Sequence, residues 1–286
     1  MASCQVCFRH CNIEEGQKGF CGARTCTGGK IVAANYGAVT AMALDPIEKK
    51  PLNRFHPGSR ILSVGSYGCN LRCPFCQNHE ISWSPRAMAM EEHTEYISPE
   101  EVTRTALYYR SRKNIGVAFT YNEPLIGYEY VRDTAKLVHE AGMLNVLVTN
   151  GTADLSVLKE LSPYVDAMNI DLKGFSDSYY RNLLKGDLQT VKDFIREAAG
   201  ICHIELTTLI IPGENDSEEE MRSITDFICS LRDGAGNVIG PEVPLHISRF
   251  FPTFHMQDRP ATEIKKIYRL AELAGERLRY VYTGNC

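Results

Sequence analysis

The chain has 286 residues, 44% of them hydrophobic, and a net charge of −4. This suits one large α/β domain with a small appendage. No apolar run reaches the ~18 residues of a membrane span, and the mildly acidic balance argues against broad binding of nucleic acid or anionic membrane. The start, Met1-Ala-Ser-Cys-Gln5, lacks the charged and apolar regions of a signal peptide. A cytoplasmic protein without membrane or nucleic-acid partners is therefore expected.

In chain order, residues 1–59 read as a Cys-rich N-terminal segment and 60–286 as the main domain. The segment holds Cys4, Cys7, Cys11 and Cys21, spaced C-x2-C-x3-C-x9-C. A C-x2-C pair followed by further cysteines is a metal signal, and so short a segment needs a staple to fold. Zinc or a second 4Fe–4S cluster fits the four thiolates. The C-x2-C pair with a long gap leans to zinc, as in zinc ribbons. Gly28-Gly29 reads as a turn into a short strand, and 45–57 as an extended connection lying over the main domain.

From Arg60 on, apolar strands alternate with helix-period segments. Strands are expected over 61–64, 116–121, 145–149, 167–172, 203–211 and 245–249. Helices are expected after Ser98-Pro99-Glu100-Glu101, then over 127–141, 153–161, 176–199, 217–231 and 261–277, the last preceding Tyr280-Val-Tyr282. Repeated alternation predicts a parallel sheet with crossover helices. Six units suit a partial (β/α)6 barrel, with a doubly wound open sheet as the alternative.

The first strand delivers Cys69, Cys73 and Cys76, spaced C-x3-C-x2-C. A cubane 4Fe–4S cluster needs one ligand per iron. Three thiolates on a tight loop leave one iron open, and an open position separates a catalytic metal site from a structural one. In a barrel the strand C-terminal ends share one mouth. The residues expected there lie in Tyr121-Asn122-Glu123-Pro124, Thr149-Asn150-Gly151, Asp171-Leu172-Lys173, Ile211-Pro212-Gly213 and His246-Ile-Ser-Arg249. No Ser-His-Asp set or phosphate-cradling Gly loop stands out. Cys26, Cys202, Cys229 and Cys286 read as incidental thiols, and His10, His56, His79 and His139 as surface or structural.

C-x3-C-x2-C with an aromatic residue just before the third cysteine is the signature loop of radical S-adenosylmethionine (SAM) enzymes. The likeness extends to Cys4-Gln-Val-Cys7, Gly19-Phe-Cys-Gly-Ala-Arg24, Asn35-Tyr-Gly37, Leu44-Asp-Pro-Ile-Glu-Lys-Lys-Pro51 and Thr120-Tyr-Asn-Glu-Pro124. These motifs resemble the radical SAM enzymes of the AmmeMemoRadiSam system, a group similar to the pyruvate formate-lyase activating enzymes. The resemblance implies a partial (β/α)6 TIM-type barrel, a 4Fe–4S cluster on Cys69, Cys73 and Cys76, and SAM chelating the open iron. It also implies reduced ferredoxin or flavodoxin as electron donor. Phe75 then lies near the adenine, and Asn122-Glu123 replaces the Gly-Gly-Glu motif that binds the SAM amino group. Thr149-Asn150 falls at the ribose and carboxylate. Asp171 and Lys173 match an Asp-x-Lys pair whose aspartate helps bind a monovalent cation, with Asn169 and Thr149 at other positions of that site. Pro212 flanks the adenine, and His246 matches a histidine near the ribose or substrate. In the family, Val-Tyr-x-Gly-Asn is commonly followed by a tail with a further Cys-x2-Cys; here Asn285 is followed by Cys286, where the sequence ends.

Three readings of function follow from the resemblance. The leading one is hydrogen abstraction from a protein, either a glycyl-radical enzyme or an AmmeMemo-system partner. The others are radical modification of a small molecule, and a metal-binding partner of AmmeMemo-type proteins without turnover.

Overall fold

In the computed structural model, which describes residues 1–90 and 94–286, the apolar strands assemble into one eight-stranded sheet. At one edge β1 (Ala41–Pro46) runs antiparallel to β2 (Arg60–Gly65). Then β3 (Asn114–Phe119), β4 (Leu144–Thr149), β5 (Ala167–Asp171), β6 (His203–Ile210), β7 (Leu245–Arg249) and β8 (Val281–Gly284) follow, each parallel to the one before. Strand order is chain order throughout. A doubly wound sheet reverses its order at a switch point, whereas a barrel winds in one direction. The architecture is therefore the partial barrel, with β1 and β8 as its two edges.

The helices form as their caps and apolar stripes dictate. α1 (Pro99–Tyr108) opens with a reciprocal capping box between Ser98 and Glu101. α2 (Tyr128–Glu140) and α3 (Leu155–Leu161) follow, the latter capped by Asp154. α4 (Leu188–Ala199) buries Val191, Phe194, Ile195 and Ala198, the i, i+3, i+4, i+7 stripe of a helix lying on a sheet. α5 (Glu218–Cys229) is capped by Ser217, with three acids in its first turn. α6 (Ile264–Gly275) is the last.

Three expectations are corrected. The segment 45–57 starts as sheet, because β1 runs through Asp45 and Pro46. Its remainder crosses the N-terminal ends of the parallel strands, where Ile47 and Leu52 pack with Ile61, Ala118, Val146 and Ala167. The expected helix over 176–199 is broken: a turn over Tyr179–Leu184 stops at Lys185, whose φ is +55°, and Asp187 caps a new start. The residues after α6 form β8, so the parallel strands number seven rather than six.

The Cys-rich segment carries small antiparallel pairs, Ala2–Ser3 with Asn12–Ile13 and Arg24–Thr27 with Lys30–Ala33. The second turns at Gly28-Gly29, both at positive φ, as their sequence predicts. The segment docks on the barrel. Arg24 pairs with Glu129 at 2.6 Å, and the Asp154 amide donates to the Val6 carbonyl at 2.9 Å.

Phe194 is fully buried between α4 and the sheet. Phe194→Ala is expected to lower unfolding free energy by about 3–5 kcal/mol in urea titration. A loss below about 1 kcal/mol would mean that α4 does not seal this face.

Candidate functional site

β2 ends at Gly65 and releases the cysteine loop at the sheet's C-terminal edge. Gly68 makes the turn possible. Its φ is +92°, and a Cβ there would come within 2.7 Å of the Cys21 carbonyl oxygen. Tyr67 and Leu71 are buried and anchor the loop. The Arg72 guanidinium donates to the Cys69 and Leu71 carbonyls at 2.9 and 2.8 Å and also to the Phe20 carbonyl. Trp83 Nε1 donates to the Cys73 carbonyl at 3.2 Å.

These contacts turn Cys69, Cys73 and Cys76 into one cleft of about 280 Å³. Burial pushes the Cys69 thiol well above its ordinary range, Cys73 up to about 12, and Cys76 upward. Buried thiols of this kind stay protonated until a soft metal displaces the proton. No fourth cysteine lines the cleft. Among the described residues, no three His, Cys, Asp or Glu side chains are arranged to hold a single metal ion. One tetrahedral zinc would need its sulfurs ~3.8 Å apart, from Zn–S bonds of ~2.3 Å. A cubane takes each thiolate on a different iron, so its ligands need not converge on one ion. Three convergent soft donors with a free side fit that group.

The strand ends wall the cleft. Glu123 follows β3, and its carboxylate accepts from Thr149 Oγ1 (2.8 Å), the Asn150 amide (2.8 Å) and the Leu125 amide (3.0 Å). Burial raises its pKa to about 7 against the pull of those bonds. Asn122 reaches the cysteine loop: its Oδ1 accepts from the Ser66 amide at 3.0 Å, and its Nδ2 donates to the Tyr67 and Gly68 carbonyls. Asn150 Nδ2 donates to Asn70 Oδ1 at 3.0 Å and lies 3.7 Å from Cys69 Sγ. At the end of β5, Lys173 Nζ is 2.8 Å from Asp171 Oδ2. Burial disfavours the Lys173 ammonium, but the Asp171 carboxylate and the Cys73 sulfur outweigh it and raise the pKa.

Of the residues expected at the mouth, Phe75, Asn122, Glu123, Thr149, Asn150, Asp171 and Lys173 line the cleft with the three cysteines. Pro212, Asn169 and His246 do not. The Pro212 carbonyl accepts from Arg259 in the turn after β6. Asn169 donates to the Pro51 carbonyl at 2.8 Å and accepts from Thr207. His246 is the second residue of β7, and its side chain meets Glu205 inside the barrel, Nε2 to Oε2 at 2.6 Å. β7 instead gives Ser248 to the cleft, and β6 gives Thr207 and Leu209. The two-residue alternation of the strands marks this face, but the reading of strand ends alone passes over it. Cys4, Cys7, Cys11 and Cys21 converge on a second, smaller cavity beside the loop.

The chain belongs to the radical SAM superfamily, which it matches over residues 63–224. Membership implies a 4Fe–4S cluster and SAM as cofactors. Over 285 residues it is 40% identical to an uncharacterized protein of Methanocaldococcus jannaschii, covering 99% of this chain and 80% of that one. It is 26% identical over 181 residues to the pyruvate formate-lyase-activating enzyme of Clostridium pasteurianum, covering 62% of this chain and 72% of that enzyme. Among solved structures, Streptococcus suis SuiB bound to S-adenosylmethionine has a TM-score of 0.58 at 12% identity, covering 77% of this chain and 48% of that one, a likeness of fold. No helix among the described residues is long and apolar enough to cross a membrane.

Beneath the cleft, Glu205 accepts from His246, from His203 Nε2 at 3.0 Å, and from the Asn53 and Arg54 amides at 3.0 and 2.7 Å. Burial alone would raise its pKa, but these bonds outweigh it and hold the carboxyl at about 2. A depressed folded pKa contributes stability above the ordinary carboxylate range that is lost as pH falls toward the folded value. Glu205→Gln is therefore expected to cost about 1–3 kcal/mol at pH 7. The gap to the parent should narrow as urea titrations are taken below about pH 4.5. A gap that stays constant with pH would contradict an ionised Glu205.

Proposed function

We propose that this protein is a radical SAM oxidoreductase that abstracts a hydrogen atom from a protein substrate, as a glycyl-radical activating enzyme does. The single observation that carries the reading is the convergence of three cysteine thiols with Asn122, Glu123, Asn150, Asp171 and Lys173 on one cleft. Similarity to a pyruvate formate-lyase-activating enzyme supports the protein substrate.

Cys69, Cys73 and Cys76 would hold the 4Fe–4S cluster. When bound, the cluster and SAM supply one-electron reductive cleavage of the C5′–S bond, giving a 5′-deoxyadenosyl radical. The rest falls to the chain. Phe75 offers an apolar surface to the adenine. The Asn122–Glu123 segment and Thr149-Asn150 present polar groups to the amine, ribose and carboxylate. Glu123 is already bound to Thr149 and Asn150, so these two strand ends are pre-organised before SAM arrives. Asp171 and Lys173 form a charge pair beside Cys73; the aspartate would share a monovalent cation, as hard carboxylate oxygens do. The apolar wall residues Leu71, Phe75 and Val148 limit water around a reactive radical. Reduced flavodoxin or ferredoxin would supply the electron, and the protein substrate would be a glycyl-radical enzyme or an AmmeMemo-system partner.

After anaerobic reconstitution and dithionite reduction, the parent is expected to convert SAM to 5′-deoxyadenosine and methionine. Cys73→Ala should lower the rate at least about 100-fold, the ~3 kcal/mol scale of a lost essential group. Parent-like rates in Cys73→Ala would contradict the assignment, and no 5′-deoxyadenosine from the parent would leave a binding protein without turnover. With extract proteins deuterated at the glycine α-carbon, deuterium should appear in 5′-deoxyadenosine. Deuterium arriving only from a labelled low-mass fraction would make the substrate a small molecule. A second outcome concerns the charge pair: Asp171→Ala should weaken SAM binding and lose the potassium or sodium dependence of the parent. An unchanged cation response would leave Asp171 only as the partner of Lys173.

A further inference from the structure

We propose that Cys4, Cys7, Cys11 and Cys21 hold a second iron–sulfur cluster of the 4Fe–4S class, directly behind the cysteine loop of the cleft. The four thiols are spread over eighteen residues, yet all line one cavity. Cys26, the other cysteine of the segment, is not among its lining residues; its sulfur lies 3.6 Å from Glu15. The cavity is therefore selected by position, not by a general abundance of thiols.

The backbone fixes the four in place. The Cys4 amide donates to the Cys11 carbonyl at 2.8 Å, and the His10 amide to the Cys7 carbonyl at 3.1 Å. Cys7 bridges to Ala153 near the end of the β4–α3 connection, so the set is tied to the barrel. Cys21 accepts at its carbonyl from the Cys69 amide at 3.2 Å.

The lining suits an anionic guest. Two arginines, Arg9 and Arg24, line the cavity, and among the described residues no carboxylate does. Arg24 spends its Nη1 on Glu129, but its buried Nε has no hydrogen-bond partner. A buried N–H left alone costs about 1–3 kcal/mol, which a sulfide or thiolate acceptor would recover. Arg9 Nε donates to the Asn70 carbonyl at 2.8 Å, and its guanidinium stacks on Phe20 with 3.4 Å to the ring centre. Cations beside the sulfurs stabilise the net negative charge of a thiolate-ligated cluster.

The four cysteines are not arranged to share one metal ion, and the three of the cleft are not either. The sequence alone leans to zinc; the two lining arginines, the unpartnered Arg24 Nε and the hydrogen bond from the Cys69 amide to the Cys21 carbonyl favour a cluster.

A role follows if the proposed radical SAM reaction holds, on which this part alone rests. Cys21 and Cys69 are joined by one hydrogen bond, and Asn70 lines the rear cavity while its Oδ1 accepts from Asn150 beside Cys69 Sγ. A low-potential one-electron donor protein would lose one electron to the N-terminal cluster. That cluster would return to its oxidised state by passing the electron to the cleft cluster, with no bond made or broken in the transfer.

The test is iron and acid-labile sulfide per chain after anaerobic reconstitution, with Mössbauer and EPR spectra. The parent should hold two clusters, about eight irons. Cys7→Ser and Cys11→Ser should each drop to about four irons and keep the EPR change on adding SAM. Cys73→Ala should also drop to about four, with the remaining signal indifferent to SAM. Cys26→Ser should stay at the parent value. The partly exposed Cys11 provides a variant expected to fold even if Cys7→Ser does not. A parent with about four irons that loses one zinc in Cys7→Ser would overturn the cluster in favour of zinc. About four irons and no metal lost in either variant would overturn the site altogether. For the relay, 5′-deoxyadenosine formation by Cys11→Ser should fall at least tenfold more with reduced flavodoxin than with dithionite. Equal losses with both reductants would overturn the relay.

Discussion

The site depends on a web of hydrogen bonds centred on Asn122 and Glu123. These adjacent side chains face two ways. Asn122 binds the backbone of the cysteine loop at Ser66, Tyr67 and Gly68, while Glu123 binds Thr149 and Asn150 at the end of β4. Asn150 closes the circuit by reaching Asn70 and the Cys69 sulfur. Three consecutive strand ends are thus locked by neutral amides and one carboxylate whose burial holds its pKa near neutrality. Such a network is strong because every member is satisfied in a low-dielectric setting. It fixes the mouth before any ligand is present.

The two ends of the barrel are built by opposite means. At the C-terminal end polar groups and thiols surround an open cleft. At the other end the segment after β1 closes the barrel with Ile47 and Leu52, and its Asn53 and Arg54 amides satisfy Glu205. Asp45 sits between, accepting from Lys50, Ser63 and Tyr121. The closed end leaves the cleft as the way in, which is how a barrel confines its chemistry to one face.

Much of this was legible in the sequence. Alternating strands and capped helices gave a parallel sheet with crossover helices and left barrel and doubly wound sheet open until the strand order decided, and C-x3-C-x2-C after the first strand gave the cleft cysteines. Residues placed immediately after a strand, such as Glu123, Asn150 and Lys173, line the cleft because the strand's end sets their position. His246 and Asn169 do not line the cleft because they lie inside strands, where alternation and barrel stagger decide which layer a side chain joins. Ser248 and Thr207 occupy the cleft in their stead, and only the three-dimensional register shows it. β1 escaped because its alternation is weak and Pro46 reads as a break. The N-terminal cysteines were visible as a metal signal, but that all four line one cavity with Arg9 and Arg24 shows only in three dimensions.

The central claim is that the cleft presents SAM to an iron held by Cys69, Cys73 and Cys76. It is tested most directly by electron–nuclear double resonance on the dithionite-reduced, reconstituted protein, with SAM labelled with ¹⁵N at the amino group. A hyperfine coupling to the labelled nitrogen is predicted in the parent and should vanish in Cys73→Ala. A reduced cluster in the parent with no coupling to the SAM nitrogen would contradict the account.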